Sequence, residues 1–142
     1  MTITATAVNL VDTWLASVVG GDAYLTTLGS TGVYNGVAVD GAIYPLITFA
    51  NLSGKDVITQ GGLRVMSQQT YVITVFAQSA HLAAQQIAAR IDALVTLTYA
   101  VPWSTGWILS CLRLSEQSLT SVANGVRYRE IKQTYQIRVQ GG

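Results

Sequence analysis

Residues 69–95 read QTYVITVFAQSAHLAAQQIAARIDALV, and the hydrophobic period changes part-way through them. From Gln69 to Gln78, Tyr71, Ile73, Val75 and Ala77 alternate with Val72, Thr74 and Phe76. A period of two places alternate side chains on opposite faces of a β-strand. From Ala80 to about Leu97, the residues Ala80, Ala83, Ala84, Ile87, Ile91 and Leu94 form one stripe at helical spacing. Ser79 stands where an N-cap hydroxyl would accept from the amides of the first turn. Gln85, Gln86, Arg90 and Asp92 fall off the stripe and are expected to face mostly outward. The alanines let such a helix lie close against the sheet that its own strand belongs to.

Working outward, Val8, Val11, Leu15 and Val18 predict a short N-terminal helix, with Trp14 as a core residue. Asn35-Gly36, Asp40-Gly41 and Asn124-Gly125 are dipeptides that tolerate the positive φ of tight hairpin turns. They predict strands near Gly32–Val39 and Ile43–Leu52. Asn51 to Met66 (NLSGKDVITQGGLRVM) reads as a loop or protruding hairpin. After TYAVPWSTG a strand runs from Trp107 to about Thr120, and another follows Asn124-Gly125 to the end. In that last strand Val126 and Tyr128 differ in parity from Ile131, Tyr135, Ile137 and Val139. A slip of one residue implies a β-bulge near Glu130. It would gather Arg127, Arg129, Lys132, Thr134, Gln136 and Arg138 on one polar face. We read that face as the wet side of a strand, because no aromatic residues stand beside it for base stacking.

The fold expected is therefore α/β of the α+β type. One main helix, at about 80–97, and the N-terminal helix pack on an antiparallel-rich sheet, in a single domain spanning 1–142. Several strands are apolar on both sides. In YVITVFA, Val72 and Phe76 oppose Tyr71, Ile73, Val75 and Ala77. In the next strand Ile108, Leu112 and Leu114 oppose Leu109 and Cys111, and IYPLITFA is mixed in the same way. Two helices can cover only one face of such a sheet, so another subunit is the expected cover for the other.

Composition narrows the function. Charged residues are 11% of the chain, and eight Lys and Arg against seven Asp and Glu leave a net charge of +1. That balance argues against bulk electrostatic capture of nucleic acid or of a membrane surface. No Lys or Arg precedes Lys55, so the apolar N-terminus lacks a basic signal region. No apolar run reaches the ~20 residues of a membrane helix. A soluble intracellular protein is the expectation, and the sequon at Asn51–Ser53 is then chance.

Chemistry is sparse. One His, one Cys and seven scattered carboxylates give no metal-ligand spacing. His81 is expected in the first turn of the main helix, without a Gly-x-Ser-x-Gly elbow to accompany it. Gly54-Lys55 lacks the following Ser or Thr and the leading Gly of a phosphate loop. Cys111, in WILSCLRL, is expected to be a buried, inert thiol. No enzyme activity, cofactor or metal is expected. Trp103 and Trp107 lie in a Gly- and Pro-bounded connection, where they would either anchor a protein interface or seal the edge of the core.

The order of these features resembles the tail-completion, or tail-terminator, proteins of long-tailed bacteriophages, which join tail to head. The likeness rests on the N-terminal helix, the Tyr-Pro step in IYPLITF (Ile43–Phe49), and a glycine-containing hairpin after it. It continues through the strand that runs into the alanine-rich helix and through the closing pair RLSEQSLTSVANGVRYREIKQTYQIRV (Arg113–Val139). It spans about Val8 to Val139, and its order and lengths carry it more than any single motif does. The segment VYNGVAVDGAIYPL is richer in glycine before the Tyr-Pro step than the family pattern.

The resemblance implies a structural virion protein at the tail-neck, assembled in the host cytoplasm. It implies a homohexameric ring that caps the tail tube protein and meets a head connector or head-closure protein. Genomic DNA would pass through the lumen only as cargo, and no membrane is involved. The family has no catalytic residues to carry over. Lys55 and Asp56 are the charges of the LSGKDVITQGG segment, the expected partner contact. The face bearing Arg127 and Arg129 would line the lumen, meet a neighbour or face water. Two alternatives stand beside this reading. One is a small-molecule-binding α/β domain with a pocket of Trp103, Trp107 and Tyr99; the other is a different neck or tube component, such as a head-closure or tail-tube subunit.

Overall fold

The computed structural model describes residues 3–28, 32–36, 44–58, 64–78, 81–104, 106–123 and 125–141. The elements run α1 (Ile3–Gly20), α2 (Ala23–Thr27), β1 (Val33–Asn35), β2 (Leu46–Ile58) and β3 (Arg64–Gln78). Then follow α3 (His81–Val95), β4 (Val101–Trp103), β5 (Gly106–Ala123) and β6 (Val126–Gly141). One six-stranded sheet has the order β1-β2-β3-β6-β5-β4. Its pairs are antiparallel except β1 with β2, which is parallel. The protein is mixed but predominantly β, with the sheet curled into a half-barrel.

The period change at the centre of the chain becomes β3 followed by α3. Both α1 and α3 pack on the same side of the sheet, which we call the covered face. Beneath them Ile47, Phe49, Tyr71, Ile73, Val75, Ile131, Tyr135, Ile137 and Val139 are buried. They meet Leu10, Val11, Trp14, Leu15 and Val19 of α1, and Ala84, Ile87, Ala88, Ile91 and Val95 of α3. Each fully buried branched side chain contributes about 1.5–3 kcal/mol relative to exposure. Small Ala84 and Ala88 bring the α3 backbone close enough for the Ala88 carbonyl to accept from buried Gln133 Nε2 at 3.0 Å.

Two tyrosines tie the helices to the sheet. Tyr71 and Tyr135 are Cα partners on adjacent strands. Tyr71 Oη donates to Asp12 Oδ1 of α1 at 2.6 Å, and Tyr135 Oη to Asp92 Oδ1 of α3 at 2.9 Å. Asp22 caps α2 by accepting from the Leu25 amide at 3.0 Å. It also takes both arms of Arg90, at 3.0 and 2.9 Å. The guanidinium of Arg90 holds the Asp22 carboxyl below its usual range. Arg90 and Asp92 therefore do not simply face outward. They are half-buried and anchor neighbouring elements.

Several sequence expectations change. The N-terminal helix is not short: α1 has 18 residues against 15 in α3. It stops at Gly20-Gly21, where the Gly21 amide bonds back to the Ser17 carbonyl at 3.0 Å. Asn35-Gly36 does supply a positive φ, +86° at Gly36, at the end of a β1 that runs parallel to β2; the residues after Gly36, up to 43, lie outside the described residues. Of the loop or protruding hairpin expected over Asn51–Met66, the hairpin holds: β2 continues to Ile58 and pairs antiparallel with β3 from Arg64. Ser79, Asp40-Gly41 and Asn124 lie outside the described residues.

The expected bulge near Glu130 is absent. β6 keeps unbroken register with β3 from Ser67↔Val139 to Gln78↔Tyr128. The extra residues sit on β5, between Ile108 and Ser110 and between Arg113 and Ser115. Tyr128 needs no slip, because on the other face its ring meets that of Tyr44 with centroids 5.6 Å apart.

Candidate interaction surfaces

Opposite the helices lies a face with no covering element among the described residues. Leu46, Thr48 and Thr74 are buried there, but Ala50, Val72, Phe76, Lys132 and Thr134 are only partly shielded. Thr48, Val72, Thr74, Phe76, Lys132 and Thr134 line a groove of about 430 Å³ on it. A face this mixed accepts water as readily as a partner, in contrast with the fully apolar cover expected from YVITVFA. Threonine and lysine stems carry the apolar contact while their polar ends remain wet.

The sequence-derived site residues do not gather. Lys55 is exposed on β2 beside Gln68, with open-face parity, and Asp56 is half-buried on the covered-face parity beside Ser67. Both are strand residues, not loop residues. Arg127 and Arg129 share parity with Ile131 and Tyr135 on the covered face, where Arg129 lines the cleft beside α3. Lys132 and Arg138 point to the open face. The single basic face is thus split, because β6 is continuous and the two-against-one steps fall on β5. Arg129 donates to Thr120 Oγ1 at 3.4 Å, and Lys132 lies 3.3 Å from Glu130.

Trp103 and Trp107 also part. In the β4–β5 register Trp103 faces Gly106 and Pro102 faces Trp107, so the two indoles take opposite faces. Trp103 seals the edge of the core and donates Nε1–H to Thr13 Oγ1 at 3.0 Å. Trp107 stands 45% exposed on the open face, and Tyr99 is exposed beyond the end of α3. The three line no common pocket among the described residues, which removes the geometry of the small-molecule alternative.

A second cleft, of about 390 Å³, lies between α3 and the β5–β6 hairpin. Its charges are mutually engaged: Arg113 is 3.8 Å from Asp92 and 3.7 Å from Glu116. Among the described residues no three His, Cys, Asp or Glu side chains meet where a metal could bind. No described helix is long and apolar enough to cross a membrane. Cys111 is buried against this region, and burial, aided by the Asp92 charge, pushes its thiol up to about 12. We expect no reaction with a thiol-selective disulfide reagent at pH 8 in the native protein, and one equivalent after denaturation. Rapid native labelling would show that Cys111 is not enclosed.

The larger feature is a pair of strand edges that, among the described residues, are paired over only part of their length. β4 covers the outer edge of β5 only at Gly106–Ile108, with a further bridge from Leu97 to Cys111. From Leu112 to Ala123 no described residue pairs with that edge. At the other side of the sheet, β1 pairs with β2 at Ile47–Phe49, and from Ala50 to Ile58 no described residue pairs with that edge. Leu112, Leu114, Leu119 and Val122, on the free part of β5, are between 40% and 67% exposed. Leu52, on the free part of β2, is exposed as well.

No protein-family model and no curated protein sequence matches the chain. Among solved structures, it is similar to a chain from the virion of a native gene transfer agent particle. The TM-score is 0.73 at 20% identity, covering 89% of this chain and 92% of that one. The two chains share a fold.

The sequence pattern does not mark the exposed leucines of β5 as surface. Leu112 and Leu114 fall in an apolar alternation that includes buried Ile108 and Cys111. The bulge at Leu109 puts Ile108 and Cys111 together on the covered face and turns Leu112 to the other. The available signal was the polar run after Leu114, SEQS, which no helix could cover.

Proposed function

We propose that this is a structural virion protein whose copies form a ring, ending the tail tube and joining it to the head connector. The observation that carries this is the fold shared, over nearly the whole of both chains, with a component of a gene transfer agent virion. The order of the sequence features, from the N-terminal helix to the two long closing strands, supports the tail-completion role within that setting. A sheet with one face and much of two edges uncovered among the described residues supports a protein that works as an assembly. Six copies are the expected number, with the tail tube protein on one side and the connector or head-closure protein on the other. The site of action is the tail-neck of the virion, after assembly in the host cytoplasm, and DNA passes through without being read. No catalytic step belongs to this mechanism; its action is geometric.

Light scattering on the purified protein is expected to give about six times the 15.1 kDa chain mass, and negative-stain images to show rings. Particles made without the protein should carry tails of uncontrolled length that fail to join heads. Filled heads that leak instead would move the assignment to head closure. A stable monomer in dilute solution would sink the ring.

A further inference from the structure

We propose that the end of the open face beside β4 is the docking site for an acidic, apolar-anchored segment of another virion protein. The inference rests on the virion reading above and names a contact for it. Two rows of side chains carry it. In the first, Pro102, Trp107 and Gln140 stand side by side across β4, β5 and β6. Met66 of β3 stands level with Gln140, because the next residue, Ser67, pairs with Val139. In the second row, one pleat further along, Lys55 of β2 and Arg138 of β6 flank Gln68 of β3.

The first row is an apolar anchor point. Trp107 is 45% exposed, Pro102 is exposed and Met66 is half-buried. An indole has more contact area to gain from a partner than almost any other side chain, and Trp, Met and Arg are the types that concentrate in protein interfaces. The second row supplies charge that the chain itself does not answer. Lys55 and Arg138 are both exposed, and neither makes an ion pair or a side-chain hydrogen bond among the described residues. Asp12 and Asp92 lie on α1 and α3, Asp22 caps α2, and Asp56 and Glu116 have the covered-face parity. Glu130 is the one described carboxylate on the open face. It stands eight residues from Arg138 along β6, about 26 Å at ~3.3 Å per residue.

An aliphatic or aromatic side chain over Trp107, with carboxylates reaching Arg138 and Lys55, meets both rows at once. A nucleic acid fits less well. Two cations release few counterions, and Met66 and Pro102 offer nothing to a phosphate. A second copy of this chain fits less well too, because Glu130, its one described open-face carboxylate, already lies 3.3 Å from Lys132.

The test uses the full chain, supplied to particles otherwise lacking it. Wild type is compared with Trp107→Ala, Arg138→Glu and a control, Gln117→Glu, in the polar middle of the same face. Purified particles are blotted for the chain, and each purified variant is checked by circular dichroism and light scattering. Trp107→Ala and Arg138→Glu should each lower incorporation by about tenfold or more, the scale of an interface anchor. Their fold and self-association should match wild type, and Gln117→Glu should incorporate normally. Particle-forming revertants of Arg138→Glu should carry Lys or Arg in place of Asp or Glu in another virion protein; revertants confined to this chain would overturn the acidic partner. Normal incorporation of both variants overturns the inference and leaves the virion reading standing, whereas wild type absent from particles overturns both. Loss of self-association in either variant would mean that a second copy covers the patch. Binding of a labelled oligothymidylate by wild type but not by Trp107→Ala would mean that a nucleic acid does. Either result overturns the inference.

Discussion

Trp14→Ala is expected to lower stability by about 3–5 kcal/mol, the usual cost of removing a buried indole and leaving its cavity. Trp14 is 3% exposed on α1, within the core that this helix shares with the sheet and α3. Folded domains have only about 5–15 kcal/mol in hand, so the loss is a large fraction of the total. For a chain of this length the melting temperature should fall by roughly 10–20 °C, measured at one fixed protein concentration because assembly also stabilises the fold. The control is Trp107→Ala. That indole stands on the open face, and its removal should cost the isolated subunit under about 1 kcal/mol. If the two variants melt together, α1 is not packed as described. Trp107→Ala should instead weaken assembly if that part of the open face is covered in the particle.

Tyr71→Phe and Tyr135→Phe should each cost about 1–2 kcal/mol, although each removes a single oxygen. Each hydroxyl donates to a half-buried carboxylate, and each bond joins the sheet to a different helix. Without the donor, Asp12 or Asp92 loses its hydrogen bond from the facing tyrosine, and water can restore only part of that; Asp92 keeps the more distant Arg113 at 3.8 Å. The two tyrosines are cross-strand neighbours, so the double variant should depart from additivity by about 0.5 kcal/mol or more. Strict additivity would mean that α1 and α3 are anchored independently.

The same pair predicts an alkaline limit. Burial, and then the adjacent carboxylate, raises both phenols above their ordinary value of 10.0. The folded protein keeps protons that the unfolded chain releases near that value. Stability from these groups is therefore complete below about pH 10 and is lost as the pH climbs toward the folded values. Cys111, raised from 9.0, adds to the same trend. Urea titrations from pH 8 to 11 should show the decline, and it should be shallower in the two Phe variants. An equally steep decline in those variants would place its origin elsewhere.

The sequence alone was enough for several elements that depend on local period and turn chemistry. The change from period two to period 3.6 near Ser79 specified a strand feeding a helix. The stripe Ala84, Ile87 and Ile91 specified which side of that helix is buried. The glycine after Asn124 ended one long strand and began the next. Tertiary pairing alone decided the faces.

A slipped alternation can be absorbed by a bulge in either strand of a pair, and a single strand's sequence does not say which. Here β6 is held straight by β3 on one side, so β5, whose outer edge pairs with no described residue from Leu112 on, takes both extra residues. That choice sends Arg127 and Arg129 to one face and Lys132 and Arg138 to the other, separates Ile108 from Leu112, and leaves β5 with its leucines exposed. Likewise, nothing local distinguishes Trp103 from Trp107. The four-residue spacing puts them on opposite faces only because the chain reverses between them.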